Sequence, residues 1–291
     1  MKNRDNNKSE LINVDLGGSF EILTVHGGVK KLFLQRFSIA ELRRMTEKIG
    51  LISHLRKKGF NNLLIDVFVD ENHVNYFSLY MKEKRTENRL LDVRLSEVSF
   101  MPGEKYPGYD NRFIPYEMIN IEWISARNPY AVFSDKKPQM PGQDHPGLGI
   151  LKYGFRMIYL MASEIVKDGF MDIPDHMHNA IMYSSGFKFF DPVHEGILRA
   201  VMRDLKKYSL SEISWGVITS AVIEKHTGEP QLYDPCEQIY PVSRRLKKHF
   251  TSPEYIKICK KYYNRKKYYL DYGEMEKRRE EILSKNRIED L

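Results

Sequence analysis

The chain has 291 residues, 42% of them hydrophobic, which is enough for one large domain or two modest ones with a core that needs no metal or disulfide staple. Its two cysteines, Cys236 and Cys259, are far apart and have no metal-binding spacing, so a reducing, cytoplasmic setting is expected. The net charge of +7 collects near the C-terminus, at Arg244-Arg245 and Lys247-Lys248 and at Lys260-Lys261 and Lys266-Lys267; no stretch approaches the roughly 18 apolar residues of a membrane span, and no membrane partner is expected.

Residues 1–17 are polar and read as a flexible N-terminus. Residues 20–37 hold two short apolar stretches around His26-Gly27-Gly28, the pattern of a hairpin. Ser38 and Glu41 have the spacing of a capping box, and the helix they start places Leu42, Met45, Ile49, Ile52 and Leu55 on one stripe up to Gly59. Residues 63–69, 75–82 and 90–100 read as three strands joined by short polar turns, an antiparallel meander. Residues 118–125 form a further strand, in which strict alternation puts Ile119, Ile121 and Trp123 on one face and Asn120, Glu122 and Ile124 on the other.

A long loop, 129–146, leads to Gly147-Leu148-Gly149, which opens a helix striped by Ile150, Gly154, Met157, Ile158, Met161 and Ile165 and closed by Gly169. A short buried strand at 170–173, a short helix at 176–184 and a strand at 187–190 follow. Beyond Val193 the pattern is mostly helical, at 197–205, 210–223, 254–269 and 274–283. The fold class expected is therefore α/β (α+β), a mixed and mostly antiparallel sheet flanked by helices. The expected organisation is a flexible segment 1–17, a domain 18–192 and a helical, basic C-terminal extension 193–291.

The turn at Gly147 carries the strongest local signal. The first turn of a helix leaves backbone N–H groups without partners and sits in the positive potential of the helix dipole. Glycines remove the side chains that would keep a phosphate from those donors. Plain conformational preference also puts Pro and Gly at helix starts.

Order and spacing extend the signal. Gln143-Asp144-His145-Pro146-Gly147-Leu148-Gly149 follows a meander and a strand. Thirty residues after Gly149 come Asn179-Ala180-Ile181-Met182-Tyr183-Ser184-Ser185-Gly186-Phe187. Over residues 20–190 this resembles the GNAT-type N-acyltransferases, whose turn has the form Gln/Arg-x-x-Gly-x-Gly/Ala and whose later helix carries Asn, Ala and Tyr before Gly-Phe. Two departures are visible: Asp144 stands three residues before Gly147, and the Ala180–Tyr183 and Tyr183–Gly186 spacings are each one residue short.

The resemblance implies a GNAT-like domain that takes acetyl-CoA or another acyl-CoA as co-substrate, needs no metal, and acylates an amine of a small molecule or protein. It implies that the backbone at Gly147, Leu148, Gly149 and Ile150 holds the pyrophosphate, that the edge of strand 118–125 holds the pantetheine arm, and that Asn179 touches the coenzyme. Tyr183 would be the general acid and Glu122 the general base.

Two alternatives stand beside it. His145, His176, His178 and His194 fall within fifty residues, with Asp172 and Asp175 among them, a set from which a metal-dependent hydrolase could draw ligands. A non-catalytic binding module that keeps the fold is the other. The lysines and tyrosines of 260–272 admit nucleic acid as a partner, but an amphipathic helix docked through its tyrosines is the favoured reading.

Overall fold

The computed structural model describes residues 32–103 and 114–285. The expected N-terminal segment 1–17 and the hairpin around His26-Gly27-Gly28 lie outside the described residues. The capping box forms as expected: Ser38 N donates to Glu41 Oε2 at 2.8 Å, and Glu41 N donates to Ser38 Oγ at 3.3 Å. It starts α1 (Ile39–Lys48). Gly50, at φ +83°, then breaks the expected single helix, and α2 (Leu51–Lys57) continues the same apolar stripe in a new direction.

The meander follows as β1 (Leu63–Val69), β2 (Asn75–Met81) and β3 (Arg89–Phe100). Asp70 closes the first turn by accepting the amides of Asn72 and Val74, each at 2.9 Å. Next come β4 (Tyr116–Ala126), α3 (Leu151–Ala162), β5 (Gly169–Asp172), α4 (Met177–Tyr183) and β6 (Lys188–Phe189). The remainder is α5 (Pro192–Asp204), α6 (Leu210–Ile218), β7 (Val222–Glu224), β8 (Gln238–Pro241), α7 (Arg244–Thr251), α8 (Pro253–Arg265), β9 (Tyr268–Leu270) and α9 (Tyr272–Ser284).

The main sheet has seven strands in the order β1-β2-β3-β4-β5-β8-β6. Among the described residues only β4 and β5 are parallel; the other neighbours are antiparallel, and β7 and β9 form a separate antiparallel ribbon. This is the mixed, mostly antiparallel α/β class expected. The residues after 193, however, are not only helical. β8 enters the main sheet between β5 and β6, so the chain crosses the expected boundary at 192/193. Ser220, at φ +56°, ends the helix expected to run to 223, and Val222 starts a strand. Gly169 does not close α3; the helix stops at Ala162, and Gly169 is the first residue of β5.

One correction bears directly on the site. The β3–β4 register pairs Arg94 with Trp123 but Leu95 with Ile121, so Glu122 is the extra residue of a bulge. A bulge shifts the alternation of everything beyond it. Trp123 therefore lies on the polar face, where the Arg94 guanidinium stands 5.7 Å from its ring centroid. Ile124 and Ala126 turn to the face that Ile121 occupies, the reverse of the expected assignment.

That face of β1–β5 is covered by α1, α2 and α3 around Leu42, Ile52, Leu55, Leu79, Leu95, Ile121 and Phe170. On the opposite face Met118, Met171, Phe190 and Ile239 pack against Leu246, Phe250 and Tyr255 of α7 and α8. The sheet is tied to α7 at Asp168. Its carboxylate accepts Arg245 Nε at 2.8 Å, a second guanidinium N–H from Arg245 Nη2, and the Glu117 amide at 2.9 Å. Its carbonyl accepts the amides of Val242 and Ser243. One residue thus ties the starts of β4 and β5 to the β8–α7 junction.

Burial pushes the Asp168 carboxyl upward, but Arg245, Ser243 and the Glu117 amide outweigh it and hold the group below the ordinary carboxylate range. A depressed value in the fold stabilises above the unfolded-state value and is lost as pH falls through the folded one. Asp168→Asn should cost about 2 kcal/mol near neutrality, less than for a fully buried pair because Arg245 is partly exposed. Urea denaturation of the two proteins should show the gap closing below about pH 4.

Candidate functional site

β4 and β5 are paired only from Met118–Asn120 to Gly169–Met171. β5 ends at Asp172, whereas β4 runs on to Ala126. Among the described residues no strand pairs with the β5 side of β4 beyond Asn120. The opening leaves a cavity of about 620 Å³. Its wall includes Ile121, Ile124 and Ala126 of β4, the turn from Pro146 to Leu151, Met157 and Ile158 of α3, and Asn179 and Tyr183 of α4.

The turn is pinned to the end of β4 by two backbone bonds. Leu148 N donates to Ala126 O at 3.3 Å, and Asn128 N donates to Pro146 O at 2.8 Å. Pro146, Leu148 and Ile150 are buried, while Gly147 and Gly149 between them are exposed. Gly149 has φ +67°, a left-handed conformation natural to glycine. The Leu148 amide is consumed by this anchoring. Among the described residues, the amides of Gly149, Ile150, Leu151 and Lys152 meet no acceptor, since the helical bonds begin with Tyr153 and Gly154 donating to Ile150 O.

The start of α3 also differs from the other helices of comparable length. Ser38, Asp191, Ser209, Ser243, Ser252 and Asp271 cap α1 and α5 to α9 with side-chain oxygens. α3 has Ile150 at its N-cap, with no side-chain cap and no acidic residue in its first turn. Lys152 lies in that turn, and Lys137 lines the cavity. Cations beside a helix N-terminus oppose the dipole, so their company favours an anionic visitor. Neither lysine belongs to the glycine-turn motif; Lys152, two residues into the helix, is the signal the sequence carries for them.

The structure brings Asn179 and Tyr183 together with the turn around one cavity. Burial, and then the nearby Asp172 carboxyl, push the Tyr183 hydroxyl up, so it stays protonated at neutral pH. Glu122 is not among the residues of this wall. As the bulge residue it points to the polar face, accepting from Ser96 Oγ and from Asn120 Nδ2 at 2.9 Å.

The histidines are dispersed in role. The His176 and His178 rings stack with centroids 5.2 Å apart. His178 Nδ1 sits 2.8 Å from Ser214 Oγ, and burial with the neighbouring His176 lowers its pKa to about 4. His194 lies 3.3 Å from Asp191. Among the described residues no three His, Cys, Asp or Glu side chains are grouped so as to hold a metal ion. Of the tyrosines of 260–272, Tyr268 is buried, Tyr262 and Tyr263 are half-buried and Tyr269 and Tyr272 are exposed, and Lys260 and Lys261 are exposed on α8. No helix among the described residues is long and apolar enough to cross a membrane.

The chain matches no protein-family model, and no curated protein matches its sequence.

Asp172, at the end of β5, is a carboxyl displaced toward neutrality. Burial and Asp175 raise its pKa to about 7. A raised carboxyl pKa penalises the fold as pH climbs from the unfolded value toward the folded one. Asp172→Asn should therefore stabilise the protein at pH 8, by an amount on the order of 2 kcal/mol. Thermal melts should show that gain vanishing below about pH 4, and an Asn variant less stable at pH 8 would contradict the assignment.

Proposed function

We propose that this protein is an acyl-CoA-dependent N-acyltransferase acting on an amine. The observation that carries the reading is the convergence on one cavity wall of an uncapped, glycine-flanked helix start, Asn179 and a protonated Tyr183. The residues fit the co-substrate by their donors. The amides of Gly149, Ile150 and Leu151 suit a pyrophosphate, with Lys152 and Lys137 as counter-charges, and the free edge of β4 suits an amide-bearing arm. Leu148 serves as an anchor for the turn.

The thioester brings an activated acyl group, so no covalent intermediate on the protein is required. The amine nitrogen forms a C–N bond to the carbonyl carbon, the C–S bond breaks, and the amine proton leaves to solvent. Tyr183 donates its proton to the departing thiolate and recovers one from solvent. Positioning the reactants and keeping Tyr183 protonated supply the catalysis. Among the described residues no ligand set for the hydrolase alternative converges, and Glu122, on the other face of the sheet, has no part in the step.

Isothermal titration with coenzyme A and acetyl-CoA tests the reading, and absence of binding at millimolar ligand would remove it. Gly149→Glu should weaken coenzyme A at least tenfold by placing a carboxylate among the phosphate donors. Gly149→Ala, which carries the backbone strain without the charge, should weaken it less. Tyr183→Phe should lower kcat by roughly 10²-fold on an accepted amine while leaving KM for the acyl donor nearly unchanged.

A further inference from the structure

We propose that the acyl group this site receives is a chain of about eight to twelve carbons, held in the interior of the protein beneath the sheet. The inference rests on the acyltransferase reading and adds to it the class of donor.

The cavity is not confined to the cleft between β4 and α3. It continues under the sheet past Ile121 to Leu95 on β3 and Phe77 on β2, and reaches Leu42 on α1. Those four residues belong to the buried core, Leu42 being 1% exposed and Ile121 6%. Crossing from β4 to β2 covers two strand spacings, roughly 10 Å, and the run from Leu91 to Leu95 along β3 adds a wall of about 13 Å. Protein interiors rarely keep voids larger than a water, because lining atoms forfeit dispersion contacts. An apolar void stays dry, so water does not recover that loss. A space of about 620 Å³ opening into a core is explained by an apolar occupant.

The polarity of the lining gives the occupant its direction. Polar side chains on the wall come from the loop (Lys137, Gln143), from α3 (Tyr153), from α4 (Asn179, Tyr183) and from Ser209 and Ser211. The strands and α1 contribute only hydrocarbon and aromatic groups. A thioester carbonyl at Tyr183, with its phosphates at the start of α3, leaves its hydrocarbon tail only the interior to enter. An acetyl group would leave most of that space unfilled.

Gly154 provides the test. It lies on α3 at the cavity wall, and an added Cβ there meets no atom within 4 Å. Gly154 is itself exposed, and leucine at this position suits the helix better than glycine and adds a side chain at the cavity wall without displacing a neighbour.

The experiment is calorimetric titration of the full chain with coenzyme A, acetyl-CoA, octanoyl-CoA and dodecanoyl-CoA below micellar concentrations, and with dodecanoate alone. Wild type should bind dodecanoyl-CoA at least a hundredfold more tightly than acetyl-CoA, with octanoyl-CoA between them. Gly154→Leu, shown folded by its melting curve, should reduce that ratio at least tenfold.

Equal affinity for acetyl-CoA and dodecanoyl-CoA would overturn the chain-length inference while leaving the coenzyme site intact. An unchanged ratio in the folded Gly154→Leu protein would also overturn it, because the tail would then lie elsewhere. Binding of dodecanoate and dodecanoyl-CoA with no affinity for coenzyme A or acetyl-CoA would keep the apolar site and remove the transferase reading.

Discussion

Three residue pairs join β4 to β5, and the arrangement of the site depends on that shortness. A parallel pair that continued to Ala126 would close the sheet beside the part of β4 that walls the cavity. The two strands are fastened at one end and free at the other. Asp168 does the fastening, holding the first residues of both strands and the β8–α7 junction with one carboxylate and one carbonyl. Beyond Asn120, β4 is supported through β3 and through the Leu148–Ala126 hydrogen bond. The bulge at Glu122 falls where the strands part, and there it turns Ile124 and Ala126 toward the cavity.

That geometry also accounts for the turn. Its buried residues, Pro146, Leu148 and Ile150, alternate with exposed glycines, so the segment behaves as a short strand laid against the end of β4 before it becomes a helix. The buried positions fix the backbone, and the exposed ones leave the first amides of α3 open. A serine or aspartate cap would stabilise such a helix by about 1 kcal/mol, as at α1 and α5 to α9. Its absence at α3 alone among the longer described helices leaves donors that a ligand can satisfy. Tyr183 approaches from the other side, on a helix set by β5 and held to β8 by Gln238, whose Nε2 donates to Ala180 O at 3.0 Å. β8 thus serves both the sheet and the wall that carries Tyr183.

Much of this was legible in the sequence wherever a local pattern ran long enough to be counted. Ser38 and Glu41 announced α1, the alternation of residues 75–82 and 90–100 announced the meander, and the glycine turn announced the start of α3. What escaped had physical reasons. Gln238 to Pro241 is too short to show a period, and only its neighbours on both sides make it a strand. Trp123 and Ile124 exchanged faces because a bulge is decided by the partner strand, which a single strand's alternation does not record. Lys137 reaches the cavity through the path of a long loop that carries no periodic signal. The cavity itself is made by contacts of α1 and α3 with β2, β3 and β4, and the two helices are distant from each other in sequence.

The same distances explain how the site and the stability of the chain are joined. The side chains that wall the deep end of the cavity, Leu42, Phe77, Leu95 and Ile121, also hold α1 against the sheet. Filling the space would add contacts to residues already buried, without asking any of them to leave water. A ligand entering a preformed apolar pocket meets little ordering cost on the protein side, so most of its buried surface counts toward affinity. A residue that shrinks or fills this space therefore acts on packing and on binding together. The two effects separate only where a side chain can be added into open space, and on the wall of this cavity α3 offers such a place at Gly154.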